Sequence, residues 1–390
     1  MVSRKNIALF FSYNEGWIGG TYYILSLIHA LNQLPDDEKP HITIVCNNEE
    51  EYLVAVQTHY PYLSKHLNNE LKTQLYFNLL ERVLNKIGQK INGKNIIVKK
   101  QYLNTSIPMD VVFPCPIMGI FDDVKDSIFW IPDFQEHYFP ELFTNAQDEK
   151  LWRYNFGKFI ADNQLSLVVS SHDVQNDFNN IYPKNNAKVM VIPFAVTHPT
   201  FQHLDINHLK EKYKIYTSYF FTPNQFWTHK NHKVVIEAVK RLVENGIQNF
   251  QFLFSGKEID FRNPDFIVEL KTLVNTYNLQ HQIQFLGFID RAEQLQLMNH
   301  ATAVVQPSLF EGWSTVIEDA KALNQRVIAS DIAVHKEQLA MYPSTFFERN
   351  NPESLAVVLE KYLKEAPQRN IYNYNNDILQ FGKNFMSMFR

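Results

Sequence analysis

Short apolar runs alternate with amphipathic stretches of helical period along most of the chain. In the first half the runs Ile7–Phe11, His41–Cys46, Ile96–Tyr102, Val111–Cys115, Ile128–Ile131, Leu167–Ser170 and Val189–Pro193 read as buried strands, with helices between several of them. A polar, His-bearing stretch from Thr197 to Lys214 follows. The pattern then restarts with Tyr219–Thr222, Phe250–Ser255, Ile283–Gly287, Ala303–Gln306 and Arg326–Ser330, each followed by a helical segment. Nearly continuous apolar strands separated by helices predict α/β domains with doubly wound parallel sheets. The restart divides the chain into a first Rossmann-like domain (1–200), a linker (201–216), a second Rossmann-like domain (217–374) and a C-terminal helix (375–390). Two such domains facing each other would hold ligands at the carboxyl ends of their strands, in the crevice between them.

Composition narrows this picture. A length of 390 residues fits two domains of roughly 150–200 residues. An apolar fraction of 45%, a charged fraction of 20% and a net charge of −4 describe a folded soluble protein and argue against a general nucleic-acid binder. Cys46 and Cys115 both lie inside apolar runs, which predicts buried thiols in a reducing compartment, hence the cytoplasm. Met1–Lys5 lead directly into the first strand, and no apolar stretch is long enough to span a bilayer.

Polar residues cluster at the strand ends. After the strand Ala303–Gln306, the segment Pro307 to Ala320 contains Glu311, Gly312, Trp313, Ser314 and Thr315, and then Glu318 and Asp319 one helical turn on. Gly312 allows close backbone approach to a ligand, and a helix starting near Thr315 directs free N–H groups at it, a setting for a sugar and a phosphate together. Thr315 and Glu318 also fit a capping box with Thr315 as N-cap, which would make Glu318 structural. After the first strand, Asn14 to Gly20 forms a glycine-rich turn in which Gly19 and Gly20 precede a helix expected near Thr21. The segment Trp130 to Glu141 places Asp133, Glu136 and His137 just past a strand, and Ser171 reads as the cap of a helix over 174–180. The second domain opens with Asn224, Gln225, His229, Lys230 and Lys233 between strand and helix, and Phe288 follows the strand ending at Gly287. Arg82, Lys86 and Lys90 share one helical face and Lys94, Lys99 and Lys100 follow. That face suits either a solvated surface helix or contact with anionic lipid headgroups.

The acid-Gly-aromatic start at Glu311 and the second acid at Asp319 resemble the donor-sugar signature of family 4 retaining glycosyltransferases, the glycosyl transferases group 1 type with GT-B architecture. That family usually has Glu at the second position. The aromatic-Ile-Pro-Asp-Phe-Gln segment at Trp130–Gln135 resembles a subset of the same family. The resemblance implies transfer of a hexose from a UDP or GDP sugar to a hydroxyl of a glycan or lipid-linked acceptor, with retention of configuration and no metal or other cofactor. The absence of an Asp-x-Asp pair at a strand end agrees with metal independence. By the resemblance Glu311 holds the transferred sugar, Lys230 neutralises the leaving diphosphate, and Asp133 and His137 line the reacting centre. Gly19, Gly20, Asn224, Gln225, Gly312, Trp313, Ser314 and Thr315 border the donor, Phe288 its base, and Asp319 or Glu318 its ribose. It also implies that the C-terminal helix crosses back to the first domain, and that the protein meets an anionic membrane surface peripherally. Gln225 stands where the family has an arginine, so Lys233, His229 or a first-domain residue would supply the second cation. A nucleotide-sugar epimerase of the same fold and a catalytically silent sugar-nucleotide-binding scaffold are the alternatives.

Overall fold

A computed structural model describes residues 4–14, 18–68, 78–92, 94–144, 146–260, 262–366 and 368–389. The chain forms two compact units, one of residues 1–136, 148–197 and 375–390 and one of 137–147 and 198–374.

The first unit contains β1 (Asn6–Phe10), α1 (Ile18–Asn32), β2 (His41–Cys46), α2 (Glu49–Val56), β3 (Leu63–Leu67), α3 (Leu79–Asn92), β4 (Lys100–Gln101), β5 (Met109–Phe113), β6 (Ile120–Phe121) and β7 (Val124–Trp130). The short α4 (Gln135–Tyr138), then α5 (Gln147–Asn163), β8 (Ser166–Val169), α6 (His172–Ile181) and β9 (Lys188–Val191) complete this part of the chain. Its sheet has the order β3-β2-β1-β5-β7-β8-β9, with every neighbouring pair parallel.

The second unit contains α7 (Ile206–Lys212), β10 (Tyr219–Thr222), α8 (His232–Glu244), β11 (Gln251–Phe254), α9 (Phe266–Thr276), β12 (Ile283–Phe285), α10 (Arg291–His300) and β13 (Ala303–Gln306). It continues through α11 (Thr315–Ala322), β14 (Val327–Ser330), α12 (Ala333–Gln338), β15 (Ser344–Phe347) and α13 (Pro352–Lys364). Its parallel sheet has the order β12-β11-β10-β13-β14-β15. Alternation along β10 and β11 divides the core between the two faces of this sheet. Phe220, Phe252 and Phe254 pack with α8, α9 and α13 residues such as Val235, Leu270 and Leu359. Tyr219, Phe221 and Leu253 pack with Leu295, Met298 and Ile317 of α10 and α11.

The doubly wound parallel sheets are those that the alternating pattern predicts, with differences at the margins. The expected strand Ile96–Tyr102 shortens to the two residues of β4, because the Asn85 side chain of α3 bonds both the N–H and the C=O of Ile97 in place of a neighbouring strand. The edge strands β3 and β15 escape the apolar pattern because their side chains are mostly half-buried or exposed. Residues 137–147 lie with the second unit although they precede the expected boundary. Among the described residues no helix is long and apolar enough to cross a membrane.

The terminal helix α14 (Asn375–Ser387) packs on α1 within the first unit, with Phe381 against Tyr23 and Phe385 against Phe113. Contact is close at Gly382, where an added Cβ would lie 2.6 Å from the carbonyl oxygen of Ala30. Gly382→Ala therefore has to lift α14 from α1, and a loss of about 1–3 kcal/mol is expected, measured by urea unfolding. Unchanged stability would show that this packing contributes little.

Candidate active site

The second sheet changes direction at β10. From β10 the chain adds β11 and β12 on one side and then returns to add β13, β14 and β15 on the other. Loops leaving β10 and β13 at their carboxyl ends therefore diverge and open a crevice. The first loop ends in a turn, Thr228–Lys230, closed by Asn231 in the left-handed conformation at φ 55°. Asn tolerates that conformation, and its amide donates to the carbonyls of Pro307 (3.2 Å) and Arg349 (2.9 Å), tying the two loops together. The second loop runs from Pro307 to Ser314 and feeds α11.

These loops bring Lys230 and Glu311 together. Lys230 Nζ donates to Glu311 Oε1 at 2.6 Å, and both side chains are largely buried. The same oxygen accepts from Ser308 Oγ at 2.7 Å and Gln306 Nε2 at 2.8 Å. Gln306, fully buried at the end of β13, also reaches Ser314 Oγ at 3.0 Å, and its own Oε1 accepts from Asn224 Nδ2 at 2.8 Å. Ser330 Oγ donates to the Ser308 carbonyl, and His335 Nδ1 lies 3.0 Å from Ser330 Oγ. Glu311 is thus fixed through Oε1, while Oε2 accepts no hydrogen bond from the described residues and remains open to a hydroxyl. Gly256 closes the other side of this arrangement: a Cβ there would meet the Asn224 carbonyl oxygen at 2.2 Å.

Helix α11 begins as expected at Thr315, but Ser314 is the N-cap, its Oγ accepting from Ile317 N. The capping box expected at Thr315 and Glu318 does not form. Gln338 takes its place, accepting from Ser314 N at 3.1 Å and donating to Ser314 O and to Glu318 Oε1, both at 2.8 Å. This corrects the expectation that Ser314 offers its N–H to a diphosphate. The N–H groups of Gly312 and Thr315 meet no acceptor among the described residues, and Trp313 stands half-buried between them.

The two acids that follow are enclosed, each only 1% exposed. Asp319 accepts from both Arg291 nitrogens at 2.8 and 2.5 Å and from His198 at 3.0 Å. Burial pushes the Asp319 carboxyl up, but Arg291 and His198 outweigh it and hold it below the usual range. Glu318 accepts from Lys321, Gln338 and Tyr374, and burial pushes its carboxyl up. Neither acid presents an edge to a ribose in this structure, because internal donors and the helix packing already surround them.

The cations arrange differently from expectation. Gln225 Oε1 accepts from Lys257 N at 2.8 Å, so the side chain at the expected arginine position is spent on the backbone. Lys233 points to solvent near Glu237. His229 is fully enclosed, and burial, with Lys230 and Arg262 nearby, pushes it well below its ordinary value, so it is not a cation at neutral pH. Arg262, ion-paired with Asp260 and set over the Trp227 ring, is a cation close to His229 that the sequence alone did not single out. Phe288 stands exposed beyond β12.

His137 is exposed and makes an edge contact with Tyr138, which together with Phe139 packs on Phe310, next to Glu311. Gly19, Gly20 and Asp133 belong to the first unit. Gly19 and Gly20 lie in the first turn of α1, which starts at Ile18 and not near Thr21; residues 15–17 of that loop lie outside the described residues. Asp133 and Glu136 both bind Arg153, at 2.5 and 2.6 Å. Ser171 caps α6, its Oγ accepting from Val174 N.

Two outcomes follow from this packing. Gln306→Leu strands the Asn224 amide and loosens Glu311 and Ser314, and should lower stability by about 2–4 kcal/mol in urea unfolding. Burial lowers His232 to about 3 and His335 to about 4. Folded-state values below the unfolded one mean that the unfolded chain binds more protons. The stability these residues contribute is therefore complete above about pH 6.5 and falls as pH drops toward 4, by about 1.4 kcal/mol per pH unit for each histidine. His232 stacks on Phe226 at 4.7 Å, so His232→Phe keeps the packing. Thermal unfolding from pH 7.5 to 4 should then show a shallower decline in this variant; identical slopes would exclude His232 as a source.

Residues 205–377 match the family described as Glycosyl transferases group 1. O-antigen chain mannosyltransferase RfbU of Salmonella typhimurium is 24% identical over 261 residues, 66% of this chain and 66% of that protein. Serotype-specific mannosyltransferase WbdA of Escherichia coli is 22% identical over 267 residues, 67% of this chain and 30% of that protein. The chain thus spans less than two thirds of the length of these curated relatives. Among solved structures, a glycosyltransferase from Rickettsia africae superposes with a TM-score of 0.58 at 16% identity, covering 99% of this chain and 93% of that one. HepE of Anabaena, solved with UDP and glucose, superposes with a TM-score of 0.59 at 14% identity, covering 99% and 95%. On the switch-point geometry and these matches together, residues 205–377 are similar to the glycosyl transferases group 1 family, and the chain has the GT-B glycosyltransferase fold.

Proposed function

We propose that the protein is a metal-independent retaining glycosyltransferase that moves a hexose from a nucleoside-diphosphate sugar to a hydroxyl of a glycan or lipid-linked acceptor. The observation that carries this reading is the Lys230–Glu311 pair at 2.6 Å beside the start of α11. Glu311, held through Oε1, offers Oε2 to hydroxyls of the transferred sugar. Lys230 and the open N–H groups of Gly312 and Thr315 face the negative charge that builds on the departing diphosphate, so no metal is needed to carry it. The bond from the anomeric carbon to the phosphate oxygen breaks with its electrons going to that oxygen. The acceptor oxygen bonds the same face of the carbon, and its proton passes to the departing phosphate.

The donor is a UDP or GDP sugar, and mannose is the first to test, since both curated relatives are named mannosyltransferases. His137 borders the reacting centre from its place beside Phe310, and Asp133, Gly19 and Gly20 are the first-unit residues that this reading assigns to the reaction. Phe288 lies against the base, and Asp319 meets the ribose after exchanging one of its bonds to Arg291. A lipid-linked acceptor would place the enzyme in the cytoplasm, peripherally at the inner face of the membrane. A silent sugar-nucleotide-binding protein is a second reading, favoured by the enclosure of Asp319 and by Gln225 in place of an arginine.

Purified protein, with and without a chelator, is incubated with UDP-, GDP- and ADP-sugars while thermal shift and nucleotide release are recorded. One donor should stabilise the protein and be hydrolysed slowly whether or not metal is present. Glu311→Ala and Lys230→Ala should each lower that rate by about 100- to 1,000-fold. Binding without any turnover would favour the silent reading, and failure of every sugar nucleotide to bind would sink both.

A further inference from the structure

Residues 137–147 lie with the second unit, although the chain on either side of them belongs to the first. Two sets of aromatic contacts hold the segment there. At its start Tyr138 and Phe139 pack on Phe310, with ring centroids 5.5 and 5.9 Å apart, and Phe310 directly precedes Glu311. Further on, the turn Pro140–Phe143 delivers Phe143, only 1% exposed, to the guanidinium of Arg262, which lies 5.5 Å from the ring centroid.

Arg262 is fixed for that contact. Its Nε donates to Asp260 Oδ1 at 3.0 Å, and the two side chains are only 7% and 2% exposed. Such a pair sets the plane of the guanidinium, whose flat face stacks on aromatic rings where an ammonium makes only a point contact. The Trp227 ring centroid lies 5.1 Å from the same guanidinium. Asn263, next in the chain, donates from Nδ2 to Thr228 Oγ1 at 3.3 Å, and the His229 carbonyl accepts from Leu309 N at 2.8 Å. Trp227, Thr228 and His229 lead directly into Lys230. One fastening of the segment therefore falls on the loop that bears Glu311, and the other reaches the turn that bears Lys230. Exposed His137, in edge contact with Tyr138 at 5.2 Å, stands on the Glu311 side.

We propose that Arg262 is a positioning residue for sugar recognition, a role that rests on the transferase reading of the same site. By docking Phe143 it holds residues 137–147 on the second domain, so that His137 binds a hydroxyl of the transferred hexose together with Glu311. Arg262 does not itself serve the diphosphate, because Asp260 neutralises it and the rings of Phe143 and Trp227 lie against it. Glu311 and His137 then belong to one body, and the grip on the hexose is set within the second domain. Since the segment meets the loop of the sugar-holding acid, losing its docking weakens the sugar's share of binding and spares the nucleotide's.

Calorimetry compares GDP with GDP-mannose and UDP with UDP-glucose on the full-length wild-type protein, on Arg262→Met combined with Asp260→Asn, on His137→Ala, and on all three changes together. Asn at position 260 still accepts from the backbone N–H of residue 262, as Asp260 Oδ1 does at 3.0 Å, and no buried charge is left unpaired. The Arg262 variant should bind the sugar nucleotide about 10-fold more weakly while its affinity for the nucleoside diphosphate changes by less than about 2-fold. Adding His137→Ala should cost nothing further, because both changes remove the same interaction. Arg262→Lys keeps the charge beside Asp260 but loses the planar face, and should show the same loss with the fold intact. Chymotrypsin should cut after Phe143 faster in both Arg262 variants than in the wild type. Losses from Arg262 and His137 that multiply overturn the proposal, as do equal losses for diphosphate and sugar nucleotide, or cleavage after Phe143 that is the same in every variant. A wild-type protein that binds none of the four ligands sinks the transferase reading and this proposal with it, whereas the other adverse outcomes overturn the proposal alone.

Discussion

One carboxylate oxygen, Glu311 Oε1, accepts from Lys230, Gln306 and Ser308 within 2.8 Å, and the geometry of the second domain's site depends on it. A buried acid is tolerated only when its charge is paired and its lone pairs are filled. Lys230 does the first, Gln306 and Ser308 the second. Gln306 in turn joins the loop after β10, through Asn224, to the cap of α11, through Ser314. Glu311, Lys230 and the N-terminus of α11 therefore form one hydrogen-bonded body. The donors converge on this single oxygen, and the other accepts no hydrogen bond from the described residues.

Around this body the domain uses neutral groups where charges would conflict. His229, His232 and His335 are all enclosed, and burial keeps each uncharged at neutral pH. They fill space near Lys230 and Glu311 without adding positive charge to compete with Lys230. The second acid of the signature is treated differently: Asp319 is matched by Arg291 and His198 and sealed in. A residue that the spacing of the motif marks as a ligand thus holds α10 and the chain at His198 to α11.

The first unit shows the same economy of contact in another form. Asp133 and Glu136, which follow β7 in a segment that looks like active-site chemistry, share Arg153.

Much of the fold was legible in the residues themselves. The two parallel sheets could be read because fully buried strands are apolar on both faces, and Phe220, Phe221, Val304 and Val305 state that locally. The same holds for the Glu311–Thr315 turn, where an acid, a glycine and a helix start are consecutive. The edge strands β3 and β15 were not legible, since half-exposed strands carry no apolar run. Nor were Gln338, Arg262 and His335 as parts of the site, because each reaches it only through packing of distant segments. Local sequence determines which backbone shapes and faces are available, as these follow from neighbouring side chains. Only the tertiary structure decides which carboxylates are paired and which oxygen stays open: here Lys230 meets Glu311 from 81 positions away, and Asp319 is closed by a histidine 121 positions away.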